Sequence, residues 1–124
     1  MTGVQTCALT ISTYYSPIQV VGGYSWTQVA TGYNSTYAIR TDGTLWGWGI
    51  IAGVVTFGNS PVQVGNASNW AQVASTVGYS SSAAVGGTAA YAIDNNGYLF
   101  VWGYNGYGEL GTNDTVNRTA TQPV

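Results

Sequence analysis

The stretch "YAIRTDGTLWGWG" at residues 37–49 decides the fold, because it returns as "YAIDNNGYLFVWG" at residues 91–103, 54 positions later. A second pair, "WTQVA" at 26–30 and "WAQVA" at 70–74, is separated by 44 positions. The ten-residue difference indicates an insertion in the second copy, around residues 75–87. Self-similarity at a period of about 50 residues is the signature of a repeat architecture, so the chain contains two copies of one unit.

Each copy is predicted to consist of short strands. In the first copy the segments Trp26 to Ala30, Tyr37 to Thr41 and Thr44 to Trp48 have the β-branched and aromatic composition of strands. Pro61 to Val64 supplies a fourth, and its leading proline suits the first residue of a strand or an edge strand. No segment shows the long apolar period of a helix.

The connection between the second and third strands carries the same hairpin signal in both copies. Asp42 and Gly43 form it in the first copy, and Asn96 and Gly97 in the second. These pairs favour a type I′ turn, in which both central residues take positive φ. We therefore assign all four residues a structural role, and we expect Asp94 to lie exposed at the end of the preceding strand.

Both faces of the third strand are apolar. Leu45 and Gly47 alternate with Trp46 and Trp48, and a similar alternation returns in "YLFVWG" at 98–103. A strand that is apolar on both sides needs cover on both sides, which small sheets stacked face to face around an axis provide. The predicted fold class is all-β, with two four-stranded antiparallel β-propeller blades that form an incomplete, open propeller fragment.

The repeat frame divides the chain into segments. Residues 17–25, which contain "PIQV", correspond to the last strand of a missing preceding blade and a linker. Blade one covers residues 26–64. Blade two covers residues 65–124, including the inserted loop 75–87, and the terminal "QPV" marks the start of the next repeat. The missing blades of a parent chain are therefore the first expected partners.

Residues 1–16 form a leader that fits no part of the repeat. The segment "MTGVQTCALTIS" at 1–12 resembles the translation of a sequencing adapter. This resemblance predicts an artefactual start to a truncated bacterial or metagenomic reading frame, and a short native leader strand is the alternative.

The composition limits the possible partners. Charged residues make up 5% of the 124 residues, and the net charge is −2. Such a surface has no basic footprint for nucleic acid, and no apolar run approaches the ~18 residues of a membrane span. We therefore expect neither nucleic-acid binding nor membrane insertion. The low charge and abundant Thr, Asn and Gly favour an extracellular or cell-surface location without fixing the compartment.

No residue pattern predicts catalysis, a cofactor or a metal site. Gly106, Gly108 and Gly111 spell G-x-G-x-x-G, but the segment after them is no helix, so they are interpreted as a repeat turn. The chain has no His for a nucleophilic triad and one Cys, too few for structural zinc. Glu109 and Asp114 leave a glycosidase-like carboxylate pair as an alternative to roles in turns.

Aromatic residues that match in the repeat frame are interpreted as packing, and unmatched ones on loops as candidates for recognition. The candidate recognition loops contain Tyr33, Tyr79, Ser80, Ser81, Tyr104, Asn105 and Tyr107. The remaining residues assigned to the structure of the repeat are Trp26, Gly32, Trp48, Gly49, Trp70, Trp102, Gly103, Gly108, Leu110 and Gly111.

These motifs resemble the regulator of chromosome condensation repeat family. The resemblance rests on "PIQV" (17–20), "WTQVATG" (26–32), "YAIRTDGTLWGWG" (37–49) and "WGYNGYGELG" (102–111). It departs from the family pattern at Glu109, where Gln is usual, and the first copy lacks the G-Q-L-G segment. The resemblance implies a β-propeller more firmly than it implies an activity.

The leading functional hypothesis is a non-catalytic propeller module for recognition of a protein or glycan ligand, or for surface display. The best-known activity of the family, guanine-nucleotide exchange on a small GTPase, is the alternative that the resemblance implies. A glycan-acting enzyme is a second alternative, and it depends on the carboxylates named above.

Overall fold

The structure is a computed structural model that describes residues 15–51, 55–77 and 88–123. Eight strands and no helix are present in these ranges. Residues 1–12 and most of the insertion, residues 78–87, lie outside the described part of the chain.

The strands form two antiparallel sheets in which neighbours along the chain are neighbours in the sheet. The first sheet contains β1 (Trp26–Thr31), β2 (Ser35–Arg40), β3 (Leu45–Ile51) and β4 (Val55–Gln63). The second sheet contains β5 (Trp70–Ser75), β6 (Ala89–Asp94), β7 (Leu99–Gly103) and β8 (Arg118–Pro123). The predicted all-β fold class, with two four-stranded antiparallel sheets that do not close into a ring, is confirmed. Gln122 and Pro123 of the terminal "QPV" pair with Val101 and Phe100 of β7, so they belong to the second sheet.

The two sheets repeat each other in detail. Trp26 pairs with Arg40, and the register shifts before the next pair. Trp70 pairs with Asp94, and the register shifts at the same place. The ten extra residues of the second copy fall between β5 and β6, whereas β1 and β2 are joined by residues 32–34. Only a connecting loop therefore differs in length at this point of the repeat, as expected where strands are constrained and loops are not.

The predicted type I′ turns are wrong. Gly43 and Gly97 have φ values of +84° and +87°, but Asp42 and Asn96 do not have positive φ. The Arg40 amide donates to the Thr44 carbonyl, which closes a three-residue loop over residues 41–43. A three-residue hairpin that ends on a left-handed glycine gives this geometry. It is favoured here because the Asp42 carboxylate accepts bonds from the Thr44 amide and hydroxyl.

The expectation that Asp94 is exposed is also wrong, because Asp94 is only 7% exposed. Its Oδ1 accepts hydrogen bonds from the amides of Asn96 and Tyr98, both at 2.9 Å. The carboxylate therefore holds the turn between β6 and β7, as Asp42 holds the turn between β2 and β3. In the first copy the carboxylate belongs to a residue inside the turn, whereas in the second copy it belongs to the last residue of the strand before the turn.

The core forms where one face of the first sheet meets one face of the second. The leucine face of the first sheet carries Tyr37, Ile39 and Leu45, each no more than 1% exposed. It packs on the tryptophan face of the second sheet, whose members in this core are Trp70, Val73, Ala90, Ala92, Phe100 and Trp102. A strand that is apolar on both sides needs cover, as predicted from the sequence. The structure shows which face of each sheet is covered in the contact between them.

The centre of the core is an edge-to-face contact between Tyr37 and Trp102. Their ring centroids are 5.3 Å apart with an interplanar angle of 82°. Trp70 makes the same kind of contact with Phe100, at 5.1 Å and 83°. Burial raises the pKa of the Tyr37 hydroxyl, and the nearby Trp102 and Ser35 side chains offset a smaller part of that rise. Edge-to-face pairs add about 0.5–1.5 kcal/mol beyond the burial of their area.

Gly43 brings the two sheets together at the turn. Its carbonyl accepts a hydrogen bond from the Trp70 amide at 3.0 Å. A Cβ added to Gly43 would overlap the Ser68 carbonyl oxygen. A Cβ added to Gly97, the repeat equivalent, would have no atom within 4 Å. The same turn is therefore a close contact in the first sheet and open in the second.

We expect Gly43→Ala to destabilise the protein more than Gly97→Ala does. Both substitutions place alanine at positive φ, which costs about 1–3 kcal/mol. Only Gly43→Ala also forces the two sheets apart, so its loss of unfolding free energy should exceed that of the control by about 1–3 kcal/mol. Urea denaturation of dilute protein measures both values, and equal losses would contradict this account of the packing.

Candidate functional site

Three connections lie at one edge of the two sheets, which we call the long-loop edge. They are residues 32–34, the described ends of the connection between β5 and β6 (residues 76–77 and 88), and residues 104–117. The short hairpins 41–44 and 95–98 lie at the opposite edge, because successive strands are antiparallel. A Cβ on Gly32 would come within 2.7 Å of the Ser75 hydroxyl, so the loops of the two sheets meet here.

The loop 104–117 is built around the side chain of Asn105, which is fully buried. Its Nδ2 lies 3.0–3.2 Å from the Thr112 hydroxyl, the Asp114 carbonyl and the Val116 carbonyl. Its Oδ1 accepts a hydrogen bond from the Leu110 amide at 2.9 Å. Asn105 was among the candidates for recognition; its burial places it where it holds the loop and does not reach a partner.

A small second core fixes the loop to the sheet. Leu110 packs with Ala89 and Val101, and Tyr91 lies against them. The Tyr91 hydroxyl donates to the Glu109 carbonyl at 2.8 Å. The loop is therefore attached to β6 and β7 by both apolar and polar contacts, and its backbone is predicted to be rigid.

The two acidic side chains of this loop serve its own backbone. Glu109 accepts a hydrogen bond from the Tyr107 amide at 2.8 Å. Asp114 accepts from the Val116 amide and pairs with Arg118 at 2.7 Å. The hydrogen bond from Arg118 lowers the pKa of Asp114, whereas an acid catalyst of the glycosidase type has a raised one. The geometry therefore gives both carboxylates a role in the loop.

One tyrosine projects from this framework, and a second lies partly buried beside it. Tyr107 is 89% exposed, and its ring centroid lies 6.2 Å from that of the half-buried Tyr104. Tyr33, 48% exposed, lies on the neighbouring connection 32–34 of the same edge. Of the candidate recognition residues, the structure brings these three to one edge, and Tyr79, Ser80 and Ser81 lie outside the described residues.

The residues assigned to the repeat framework lie in strands, turns and contacts between loops. Trp26 and Trp48 pack together on the first sheet, with ring centroids 6.0 Å apart. A Cβ on Gly49 would overlap the Asn34 carbonyl, and one on Gly103 would lie 2.5 Å from the Thr88 carbonyl. Gly108 and Gly111 form the turns of the loop 104–117 through successive backbone hydrogen bonds.

The sequence interpretation missed one ion pair that holds this loop. Arg118 and Asp114 are four positions apart in "DTVNR", a spacing that indicates an ion pair in a helix but has no fixed meaning in a loop. Arg118 also donates to the Val116 carbonyl at 2.8 Å, which completes its attachment to the loop.

Within the described ranges, no three His, Cys, Asp or Glu side chains come together as a metal site. A search of the same residues for a helix long and apolar enough to cross a membrane finds none.

We expect Asn105→Ala to destabilise the protein by about 2–3 kcal/mol, because it leaves the Leu110 amide and several loop oxygens without their buried partner. Asn34→Ala, which changes an exposed side chain on another loop of the same edge, is the control and should cost less than about 0.5 kcal/mol. Thermal or urea unfolding measures both. Equal effects would show that the buried amide does not hold the loop.

The lowered pKa of Asp114 predicts a dependence on acid. A carboxyl group with a lower pKa in the folded state stabilises that state at neutral pH, and this contribution is lost as pH falls through its folded pKa. Unfolding free energy should therefore decline below about pH 4. Asp114→Asn should show a shallower decline than wild type in urea denaturation at acidic pH, and an unchanged slope would refute the role of the Arg118 pair.

Two sequence profiles of the regulator of chromosome condensation (RCC1) repeat match this chain, one at residues 26–50 and the other at residues 96–124. The first match covers β1 to β3, and the second begins at the hairpin before β7 and includes the loop 104–117. Each copy of the repeat is therefore matched by one profile.

Solved structures with this fold include human WBSCR16, at 24% sequence identity and a TM-score of 0.65, with 88% of this chain and 27% of that chain covered. Prp20p from Saccharomyces cerevisiae, studied for its binding to Gsp1p and histones, matches at 13% identity and a TM-score of 0.68, over 86% and 27% of the two chains. Yeast RCC1 (Prp20) in its structure with Kap60 matches at 14% identity and 0.65, over 86% and 26%.

The chain spans about a quarter of the length of these proteins. Their likeness concerns the fold, and the two profile matches concern the sequence of the repeat itself. Together with the two open antiparallel sheets, the two profile matches identify this chain as one that carries repeats of the regulator of chromosome condensation (RCC1) type on two propeller-like sheets.

Proposed function

We propose that this chain is a non-catalytic recognition module that binds a protein partner through its long-loop edge. The observation that carries the proposal is the exposure of Tyr107 on a loop whose polar groups are bonded within the loop itself. A large exposed aromatic side chain on a fixed backbone is the kind of residue that dominates binding energy at protein interfaces.

The loop supports this role through its rigidity. Glu109 accepts a hydrogen bond from the Tyr107 amide, and the Asn105 side chain bonds the backbone of Leu110 and Asp114. Binding then costs little ordering of the loop, because its conformation exists before the partner arrives. Tyrosine adds contact area with few rotatable bonds and a hydroxyl that adapts to different acceptors.

The charges of the chain favour a neutral interface. Its two basic residues are Arg40 and Arg118, and both lie beside carboxylates, at 3.9 Å from Asp42 and 2.7 Å from Asp114. No basic side chain is therefore left over for phosphate groups. We expect recognition through aromatic contact and hydrogen bonds, with an association rate that depends weakly on salt.

The comparisons support protein as the class of partner. Prp20p binds Gsp1p and histones, and yeast RCC1 (Prp20) is bound by Kap60. Proteins with RCC1-repeat propellers generally act in interaction or regulation without catalysis. Nucleotide exchange on a small GTPase is the more specific alternative that the family resemblance brings to this chain.

We expect Tyr107→Ala to weaken partner binding at least about tenfold, because it removes the largest exposed contact of the loop. A partner captured by the wild-type chain is identified and purified, and its affinity is then measured by calorimetry for wild type and variant. Val116→Ala, which shortens a smaller exposed apolar side chain of the same loop, is the control and should bind like wild type.

Three results would contradict parts of the proposal. Equal affinity of Tyr107→Ala and wild type would remove the long-loop edge as the binding surface. Accelerated release of guanine nucleotide from a small GTPase would favour the exchange alternative. Selective retention on a glycan array, with no protein captured, would change the class of partner.

A further inference from the structure

We infer that a second copy of this chain packs head to tail on the first, with the tryptophan face of one first sheet covering the leucine face of the other's second sheet. This inference does not depend on the proposed function, because it concerns the broad faces of the sheets and not the long-loop edge. It rests on a comparison between the contact inside the chain and the two faces left uncovered.

The leucine face of the second sheet repeats a face that is buried in the first. Ile93 is the equivalent of Ile39, and their exposures are 36% and 1%. Leu99 is the equivalent of Leu45, and their exposures are 39% and 0%. With Tyr91, these side chains line a depression of about 100 Å³. The same residue types thus stand at the same register without the sheet that covers them in the first copy.

The tryptophan face of the first sheet repeats the other half of the contact. Val29 is 65% exposed, whereas its equivalent Val73 packs against the central core. Trp48 is only partly buried, whereas its equivalent Trp102 is fully buried. The contact inside the chain joins one leucine face to one tryptophan face. The chain leaves a second face of each kind uncovered.

The backbone of the two equivalent hairpin turns shows the same difference between a covered and an uncovered copy. Gly43 abuts Ser68 and accepts a bond from the Trp70 amide, while the equivalent Gly97 faces open space. In a head-to-tail arrangement, the segment before Trp26 of the second copy occupies the space beside Gly97. Glycine is already present where that approach requires it.

One charge lies on the tryptophan face, and it is accommodated there. The Arg40 guanidinium stacks 3.7 Å from the ring centroid of Tyr24 and 4.9 Å from that of Trp46. It also lies 3.9 Å from the Asp42 carboxylate. Covering this face consequently does not bury an unpaired charge, and the stacked cation adds apolar contact area.

The two complementary faces are at opposite ends of the chain, so the contact is heterologous and can continue from copy to copy. Propellers close with typically about four to eight blades. The 124 residues supply two blades, so a closed assembly of this segment alone would contain about two to four copies.

The test measures the mass of the 124-residue chain by sedimentation velocity from low to high micromolar concentration. We expect species of about two to four copies. Leu99→Glu and Val29→Glu should each weaken association at least about tenfold, because each places a charge in the apolar contact. Val116→Glu, with the same charge outside both faces, should associate like wild type.

Mixing the two variants separates a head-to-tail contact from other kinds of association. The Leu99→Glu chain keeps its tryptophan face and the Val29→Glu chain keeps its leucine face, so the mixture should form one-to-one dimers and nothing larger. If circular dichroism shows that Leu99→Glu has lost its sheets, Ile93→Ser replaces it. The inference is overturned if the wild-type chain is a folded monomer at every concentration, since these faces would then be reserved for other blades of a longer polypeptide. It is also overturned if the mixture of the two variants stays monomeric.

Discussion

The structure depends on the need to cover sheets that are apolar on both sides. Within the chain, this need is met once, where Tyr37 of the first sheet meets the edge of Trp102 on the second at 5.3 Å. Around this contact the side chains of both sheets are almost completely excluded from water. Neither sheet can bury its apolar faces by itself, as expected of a repeat unit that is stable only beside another.

The same packing separates the surface into regions with different tasks. The broad faces are mostly apolar and have stacking contacts, including that of Arg40 on Tyr24. The long-loop edge has irregular loops in which polar side chains bond the backbone. Asn105 holds the loop together and Leu110 anchors it to the sheet, and Tyr107 is exposed on this framework. The framework of the repeat and the candidate recognition surface are therefore parts of one arrangement, in which buried side chains position exposed ones.

Much of the fold could be predicted from the sequence, because the two copies constrain each other. The offset between copies predicted the strands and the position of the insertion, and alternation predicted stacked sheets. The choice of which faces meet could not be predicted, since Leu45 and Trp46 are both apolar neighbours on one strand. The burial of Asn105 and Asp94 was also beyond reach, because the value of a polar side chain in a turn depends on amides that only the folded loop brings near it.

The nuclear Overhauser effect between the aromatic protons of Tyr37 and the indole protons of Trp102 tests the central claim most directly. A ring separation of 5.3 Å between centroids brings edge protons of one ring close to the face of the other, so a clear cross-peak is expected. Uniform labelling of one chain diluted into unlabelled protein confines the signal to contacts within a chain. A spectrum with both sheets intact but without this cross-peak would contradict the account, since the two sheets would then not be joined through these faces.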